Sequence, residues 1–409
     1  MYNFNNYYIH LLHTRLKLNI FIMEFIPYGR QSINSDDKKL VLKSLEANLI
    51  TTGSYVDEFE KKLKKYFGTK YTLVCSSATA GLHLAFLSLD IKKNDNIIVP
   101  AINFIASYNM LSILGANIYL CDVNSETGQM SPELISECIK LNKLKKIKAI
   151  VTMYLGGYPS NIVNFYKIKK KYRCFLIEDA CHALGAKYRA SNQSFKIGSC
   201  KHSDIAVFSL HPVKPITSGE GGIVCTNNLK IHKKIKLLRS HGIKRTKKHW
   251  IYDIEYSGYN YRLSDINCAL AISQLSRIND LILKREKIFN YYKKKLTDLP
   301  KDVKILDFNP KITPSYHLVL AYFNFKKMRI SKDFFINMLI KKKIIVQQHY
   351  IPIFKFKKIF KQKINIRNYK GTINYYNNTI SLPIYYDLSK KKIDYIINTI
   401  KEILYKYAN

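Results

Sequence analysis

The 409-residue chain has few acidic side chains and no long apolar run. Its 29 aspartates and glutamates stand against 67 lysines and arginines, which gives a formal net charge of +38 at pH 7. A charge of this size is one signature of a nucleic-acid or acidic-membrane partner. The basic residues are spread along the whole chain, however, and this distribution favours a Lys-, Ile-, Asn- and Tyr-rich composition of the kind that an AT-rich genome produces. We therefore expect no specific nucleic-acid partner.

No segment offers about 18 uninterrupted apolar residues, so no membrane span is expected. The eight cysteines form no CxxC pair, and several lie within apolar runs. Their spacing argues against a disulfide framework and against a zinc site, and no other metal is expected. Cysteines of this kind are typical of buried, reduced thiols, which predicts a cytoplasmic protein.

The first 22 residues differ in character from the rest of the chain. They are aromatic and moderately apolar, but they lack the basic start and the small-residue cleavage site of a signal peptide. Met23 is a candidate start, and residues 1–22 are treated as an extra segment. Residues 23–289 are predicted to form a large domain with an N-terminal arm, and residues 290–409 a smaller C-terminal domain.

Seven short apolar runs lie between residues 71 and 227, and helical or polar segments separate most of them. The runs are YTLVC (71–75), NIIVP (96–100), ANIYLCD (116–122), IKAIVTM (147–153), RCFLIED (173–179), DIAVFSL (204–210) and GGIVCTN (221–227). Nearly continuous apolar strands between helices predict an α/β fold with a mostly parallel sheet that helices cover on both faces.

Helical patterns flank these runs. Ser35 is predicted to cap a first helix, and a second, over 57–67, is predicted to stop at Gly68. Apolar residues recur at helical spacing over 264–296, which predicts a long helix with at most one break. The C-terminal region is predicted to contain strands over 315–325 and 343–350 and helices over 331–342 and 390–407.

Lys214 lies in the segment FSLHPVKPITSGEGG (208–222), and Asp179 ends an earlier apolar run. This combination indicates a site for pyridoxal 5′-phosphate (PLP). The lysine would hold the cofactor as a Schiff base, and the aspartate would keep its ring nitrogen protonated. Taken alone, Asp179 is also consistent with a strand-end residue that caps the next helix. The Gly-Glu-Gly-Gly run matches neither a Walker nor a Rossmann pattern, which excludes nucleotide hydrolysis and NAD binding.

Four other positions fit such a site, although each also has an ordinary structural explanation. Thr79 lies in Ser-Ser-Ala-Thr (76–79), which opens a helix after a strand and can bind a phosphate through free N–H groups. Ser209 ends another strand and can reach the same phosphate. Phe104 follows a strand end and can stack on the cofactor ring. His182 lies three residues after Asp179 and can bond the phenolic oxygen of the cofactor.

Together these segments resemble the DegT/DnrJ/StrS family of PLP-dependent sugar aminotransferases, from about Met23 to the C-terminus. The resemblance is carried by SSATAGL (76–82), PAINFIASYNM (100–110), IEDACHALGA (177–186), FSLHPVKPITSGEGGIVCTNN (208–228), RSHGI (239–243), YNYRLSDINCALAISQL (259–275) and QQHYIPI (347–353). It implies the type I aminotransferase fold, in which a large domain with a seven-stranded sheet is joined to a smaller α+β domain. It also implies a homodimer with the active site at the interface.

The resemblance further assigns roles to individual residues. Lys214 becomes the Schiff-base lysine and Asp179 the partner of the ring nitrogen. The remaining positions are Phe104 stacking on the ring, His182 at the ring oxygen, Ala78, Thr79 and Ser209 at the phosphate, Asn260 reaching the phosphate from the other subunit, and His349 and Tyr350 near the sugar.

Within the family, HALGA, HPVKPIT and HYIPI are most similar to the branch that acts in pseudaminic acid biosynthesis. Its aminotransferase uses L-glutamate to convert a UDP-linked 4-keto-6-deoxy-N-acetylhexosamine to the 4-amino sugar. Two departures are Ser218, where the family usually has threonine, and a longer, basic segment at 244–258. Alternatives are an aminotransferase of the perosamine or 4-amino-arabinose type and a PLP-dependent sugar dehydratase. The dehydratases carry histidine in place of the lysine, so Lys214 argues against the latter.

Overall fold

The computed structural model describes residues 24–248, 250–300, 302–306 and 312–408. The extra segment predicted at 1–22 lies outside these residues. Within them, no helix is both long enough and apolar enough to cross a membrane.

A seven-stranded sheet forms the centre of the larger part. Its strands are β1 (Tyr71–Cys75), β2 (Asn96–Pro100), β3 (Asn117–Cys121), β4 (Ala149–Met153), β5 (Phe175–Asp179), β8 (Ile205–Ser209) and β9 (Gly222–Thr226), in the order β1-β9-β8-β5-β4-β2-β3. Of these seven, β9 alone runs opposite to its neighbours. Each predicted apolar run is one of these strands, and the α/β fold class is confirmed.

Helices cover both faces of this sheet. In chain order they are α1 (Ser35–Leu45), α2 (Ser54–Phe67), α3 (Ala78–Ser88), α4 (Ala106–Ile113), α5 (Pro132–Leu141), α6 (Ile162–Tyr172), α7 (Leu229–Leu238) and α8 (Asp265–Ser276). Alternate residues of a strand point to opposite faces. Val207 therefore packs with the core under α3, α4 and α7, whereas Phe208 packs with the core under α2 and α8.

Local chemistry sets the helix ends. Asn34, rather than Ser35, caps α1, because its side chain accepts a hydrogen bond from the N–H of Asp37 and the Asp37 carboxylate accepts from the N–H of Asn34. Gly68 ends α2 in the left-handed conformation, as predicted. The long helix predicted over 264–296 is α8 followed by α9 (Ile278–Leu296), with its single break at Arg277.

The smaller part is built on a three-stranded antiparallel sheet. It contains β12 (Val303–Ile305), β14 (Val319–Phe323) and β15 (Thr379–Leu382), with α10 (Lys332–Lys341), α11 (Lys370–Asn378) and α12 (Lys390–Tyr407). Helix α9 continues across residue 290, and its residues Phe289 and Tyr292 are buried in the core of this part. The proposed domain boundary therefore lies within a helix that both parts share.

One predicted strand is wrong. Residues 343–350 form only two isolated bridges, Ile344 with Ile26 and Gln347 with Ser381. Single pairings with two different segments cannot build the continuous ladder of a strand. Two strands of the small sheet, β12 and β15, lie in sequences for which no strand was predicted.

Two smaller units lie beside these sheets. The β6 (Lys187–Ala190) and β7 (Gln193–Lys196) hairpin pairs with β13 (Ile312–Thr313). The basic segment at 244–258 contributes to a second hairpin, β10 (Ile243–Arg245) with β11 (Tyr252–Ile254).

Candidate active site

A cavity of about 580 Å³ lies at the carboxyl ends of the parallel strands, where open α/β sheets bind their ligands. Eight of the ten predicted site residues line it, namely Ala78, Thr79, Phe104, Asp179, Ser209, Lys214, His349 and Tyr350. The sheet supplies most of them from strand ends, and the segment 347–351 supplies the last two. His182 and Asn260 are not among the lining residues.

The N-terminus of α3 opens onto this cavity. Ser77 caps the helix by accepting a hydrogen bond from the N–H of Ala80 at 3.1 Å. Gly222 allows the backbones at Ser77 and at Gly222 to lie close together, because a β-carbon at position 222 would lie 2.3 Å from the carbonyl oxygen of Ser77. Ala78 and Thr79 thus bring N–H groups of the first turn, and the positive end of the helix dipole, to the cavity wall. This is the arrangement that binds a phosphate.

Asp179 ends β5 and is buried. Its Oδ1 accepts from the N–H of Cys181 at 3.3 Å, and its Oδ2 accepts from Ser107 Oγ at 3.4 Å. Burial raises the pKa of this carboxyl, while the bonds from Cys181 and the charge of Lys214 partly oppose the rise. The carboxyl would gain most from a positive group in the cavity, and a protonated ring nitrogen is such a group.

Lys214 follows a turn in which its N–H donates to the carbonyl of His211 at 2.9 Å. Burial lowers the pKa of its amine, and the charge of Arg285 lowers it further, while Cys181 and Asp179 act in the opposite direction. A lower pKa increases the fraction of neutral amine, which is the form that attacks an aldehyde or accepts a proton.

Arg285, on α9, was not predicted as part of the site. Its buried guanidinium donates to the carbonyl of Val213 at 3.4 Å, next to Lys214, and to the carbonyls of His317 and Ile384 at 3.3 and 3.4 Å. Burial lowers its pKa to about 10. A signal existed in the sequence, because this arginine falls at the spacing of the buried residues Leu281, Ile288 and Tyr292 of the same helix.

The ring of His182 is fully buried behind Tyr350. Its Nδ1 accepts a hydrogen bond from the N–H of Gly156 at 3.3 Å, so the proton is on Nε2, which lies 2.8 Å from the Tyr350 hydroxyl. Burial, with the charges of Lys214 and His349, holds the pKa of His182 well below its usual range, so the ring is neutral. Its predicted contact with a cofactor oxygen stays a prediction.

Two further predicted residues lie on the cavity wall, in different surroundings. Phe104 is 53% exposed, and its ring centroid lies 5.8 Å from that of Tyr350. An exposed aromatic ring at the wall is suited to stacking on a planar ligand. His349 is buried, with its Nδ1 2.8 Å from Ser381 Oγ.

Asn260 lies apart from these residues. It is exposed, and it pairs with Ser240 through an isolated bridge. Its predicted contact with a phosphate in a second subunit stays a prediction. The lining residues that the sequence did not single out include Tyr28 of the N-terminal arm, Asn103, Cys181 and Gln348.

The donors and acceptors around the cavity fit PLP. The buried Oδ1 of Asn103 has no hydrogen-bond partner among the described residues. Three groups face this cavity. The N-terminus of α3 is suited to a phosphate, and the buried carboxyl of Asp179 is suited to a ring nitrogen. Lys214, whose pKa is lowered, is suited to an aldehyde. This fold and this arrangement are those of PLP-dependent aminotransferases.

Comparison with known proteins agrees with this class. The DegT/DnrJ/EryC1/StrS aminotransferase family matches residues 31–401, and the chain belongs to this family. The chain is 35% identical over 383 residues to a UDP-4-amino-4,6-dideoxy-N-acetyl-beta-L-altrosamine transaminase of Campylobacter jejuni subsp. jejuni serotype O:23/36, covering 93% of this chain and 98% of that protein. A protein of the same name from serotype O:2 is 34% identical over the same shares.

Solved structures lead to the same conclusion. Helicobacter pylori PseC, an aminotransferase involved in the biosynthesis of pseudoaminic acid, superposes with a TM-score of 0.84 at 28% identity, covering 94% of this chain and 100% of that chain. The PLP form of Spr1654 from Streptococcus pneumoniae, described as a sugar aminotransferase, has a TM-score of 0.85 at 26% identity over the same shares. The enzyme is thus an aminotransferase, and its cofactor is PLP.

Proposed function

We propose that this enzyme transfers the amino group of L-glutamate to C4 of a UDP-linked 4-keto-6-deoxy-N-acetylhexosamine. The product would be UDP-4-amino-4,6-dideoxy-N-acetyl-β-L-altrosamine, an intermediate of pseudaminic acid biosynthesis. The observation that carries the proposal is that Lys214, Asp179, His349 and Tyr350 line one and the same cavity. The names of the two Campylobacter relatives, which match 93% of the chain, support the choice of sugar.

Different residues around the cavity would act on different parts of the cofactor. PLP, when bound, supplies a ring that takes up the electron pair left on the reacting carbon. Asp179 would hold the ring nitrogen in its protonated form. Lys214 would hold the cofactor through its aldehyde, and the amine of Lys214, when free, would move a proton at the α-carbon of the donor. Ala78, Thr79 and Ser209 would hold the phosphate, and Phe104 would lie against the ring.

The same site would bind the two substrates one after the other. Glutamate would bind first and leave as a 2-oxo acid, and the keto sugar would then bind and leave as the amino sugar. His349 and Tyr350 lie on the wall that we assign to the sugar. Since His349 is buried and its pKa is lowered to about 3, it is a neutral hydrogen-bonding group throughout the physiological range.

The working unit would be a homodimer with two shared sites, to which Asn260 of each subunit contributes across the interface. We place the enzyme in the cytoplasm. All eight cysteines are free thiols, and seven of them are buried. Free thiols are typical of a reducing compartment.

The test is incubation of the purified enzyme with PLP, L-glutamate and a panel of nucleotide-linked 4-keto sugars, followed by mass spectrometry. We expect an amine on the UDP-linked 4-keto-6-deoxy-N-acetylhexosamine and none with Lys214→Arg. Amination of only a GDP-linked 4-keto-6-deoxyhexose would favour the perosamine type. Loss of a hydroxyl without gain of an amine would favour a dehydratase.

A second measurement tests the cofactor attachment itself. Borohydride reduction of the PLP-loaded enzyme, followed by peptide mapping, should leave the cofactor on the peptide that contains Lys214. Lys201→Arg, a change at an exposed lysine, is the matched control and should label like the wild type. A label on any other lysine would remove the basis of the assignment.

A further inference from the structure

Two hydrogen bonds in series lead from the loop after β2 to the carboxylate of Asp179. Nδ2 of Asn103 lies 3.4 Å from Oγ of Ser107, and this oxygen lies 3.4 Å from Oδ2 of Asp179. Ser107 is the second residue of α4, and all three side chains are buried. Neither Asn103 nor Ser107 was predicted as part of the site.

The chemistry of these groups fixes the direction of both bonds. An ionised carboxylate only accepts hydrogen bonds, so the single O–H of Ser107 is donated to Asp179. Ser107 Oγ can then only accept from Asn103, and the NH₂ end of that amide is the end that donates. Both donors therefore point toward the carboxylate, and hydrogen bonds to the charged form of an acid favour that form.

The amide of Asn103 keeps this orientation at a cost in stability. Its Oδ1 is buried and has no hydrogen-bond partner among the described residues. A buried acceptor without a donor is unfavourable, and an apolar side chain would fill the same space without that penalty. Packing alone therefore does not account for an amide at position 103, whereas the contact of its N–H group with Ser107 does.

The groups around Asp179 act on its charge in opposite directions. Burial raises the pKa of the carboxyl, while bonds from Cys181, the charge of Lys214 and a bond from Asn103 lower it. Tyr350, a further titratable neighbour, stays neutral because burial and the charge of Asp179 raise its pKa. The neighbouring strands β4 and β8 place uncharged residues beside it, Met153 and Val207.

We infer that Asn103 and Ser107 are positioning residues that hold Asp179 in its ionised form for the ring nitrogen of PLP. Both act through the carboxylate, and the inference rests on the role proposed for Asp179. A charged carboxylate attracts a protonated ring nitrogen, whereas a neutral carboxyl does not. Loss of the two donors would therefore weaken cofactor binding at the pH where Asp179 begins to take up a proton.

Single changes remove the donors one at a time. Ser107→Ala removes the bond to the carboxylate, and Asn103→Ala removes the amide that donates to Ser107. Asp179→Asn removes the charge on which both donors would act. Ser112→Ala is the matched control, because Ser112 is exposed on the same helix.

Fluorescence titration of each apoenzyme with PLP, repeated from mildly acid to mildly alkaline pH, gives the dissociation constant. A donor lowers the pH at which the carboxyl takes up a proton, so removing the donor raises that pH. Ser107→Ala should move the acid limb of PLP affinity upward by about 0.5 to 1 pH unit. Within this limb the dissociation constant should rise about 5- to 10-fold, the lower part of the range for a bond to a charged group, because both bonds are long.

The remaining variants show whether the effect passes through the carboxylate. At mildly alkaline pH, Ser107→Ala should bind PLP within about twofold of the wild type, since Asp179 is ionised in both. Asn103→Ala should move the acid limb in the same direction as Ser107→Ala. Added to Asp179→Asn, Ser107→Ala should cause no further change, because the charge it supports is already gone. Ser112→Ala should match the wild type.

Each contrary result has its own meaning. An unchanged titration for Ser107→Ala would overturn the inference, and so would a loss of affinity that is equal at every pH, which would indicate a packing effect. A further loss in the Asp179→Asn background would also overturn it. If Asp179→Asn itself binds PLP like the wild type at every pH, the proposed role of Asp179 fails and this inference fails with it. Urea unfolding shows whether each apoenzyme is folded, and Asn103→Ala repeats the test independently of Ser107→Ala.

Discussion

The Tyr350 hydroxyl lies 2.8 Å from Nε2 of His182, and this bond joins the segment after β5 to the segment that closes the cavity. Because the N–H of Gly156 occupies Nδ1, His182 donates and Tyr350 accepts. The strand that carries Asp179 and the segment assigned to the sugar are thus parts of one hydrogen-bonded unit.

Tyr350→Phe should remove this acceptor and leave the buried imidazole N–H unpaired. We expect the free energy of unfolding to fall by about 1–3 kcal/mol, together with a lower kcat/KM for the keto sugar. Urea unfolding of the PLP-loaded enzyme measures the first effect. Tyr405→Phe, at a side chain that is 79% exposed, is the control. Unchanged stability and unchanged sugar kinetics in Tyr350→Phe would contradict this role.

Gly222→Ala should weaken cofactor binding. The added β-carbon would lie 2.3 Å from the Ser77 carbonyl oxygen and 2.8 Å from the Ala78 nitrogen, so the start of α3 must shift. We expect the PLP dissociation constant to rise about tenfold or more, because displaced N–H groups lose a charge-assisted bond to the phosphate. Fluorescence titration of the apoenzyme measures it.

The control for this change is Gly29→Ala, whose β-carbon would meet nothing closer than 3.5 Å. It should bind PLP like the wild type. If both variants bind PLP equally well, the N-terminus of α3 does not hold the phosphate.

Mixed dimers test whether the site is shared. Lys214→Arg and Asn260→Ala should each be nearly inactive as homodimers. When the two are unfolded and refolded together in equal amounts, half of the dimers are mixed, and each mixed dimer has one intact site. Activity should then return to about a quarter of the wild type, as the two-fold symmetry of an isologous dimer requires. Failure to recover any activity would place Asn260 in the site of its own subunit, whereas an active Asn260→Ala homodimer would place Asn260 outside any site.

Glu178→Gln should alter the pH dependence of stability. Burial raises the pKa of Glu178 to about 7 from an ordinary 4.5, although bonds that include the one from the Tyr154 hydroxyl at 2.9 Å oppose the rise. The folded state therefore holds more protons between pH 4.5 and 7, and stability is lost as the pH rises through this window. Removing the charge should stabilise the protein at pH 8 by up to about 3 kcal/mol and have little effect at pH 4.

Urea midpoints of wild type and variant at the two pH values measure this difference. Glu58→Gln is the control, because the Glu58 side chain is 49% exposed in its pairing with Lys62. A stabilisation of equal size at both pH values would show that the charge of Glu178 is not its cause.

Sequence patterns predicted the seven strands of the large sheet because a buried parallel strand must be apolar nearly throughout, and such runs are visible without knowledge of the fold. The same reasoning failed at residues 343–350. Their apolar character comes from separate contacts, such as those of Ile344 with the arm and Val346 with the small-domain core. An apolar run alone does not reveal which neighbours cover it.

Polar residues of the helices were harder to interpret. Ser107 looked like a small polar residue of a short helix, and Arg285 like one charge in a long helix. Their roles depend on groups that lie far away in the chain, such as Asp179 for Ser107 and Val213 for Arg285. No local pattern records such partners.

The order of residue types along the chain was enough to predict a PLP-dependent aminotransferase fold and to propose Lys214 and Asp179 as its central pair, because strand ends and short turns are local features. Only the tertiary structure placed Tyr350 on His182, Arg285 beside the Lys214 turn and Ser107 beside Asp179. Those contacts form when separate segments pack together, since hydrogen bonds and burial depend on distance in space rather than on spacing in the sequence.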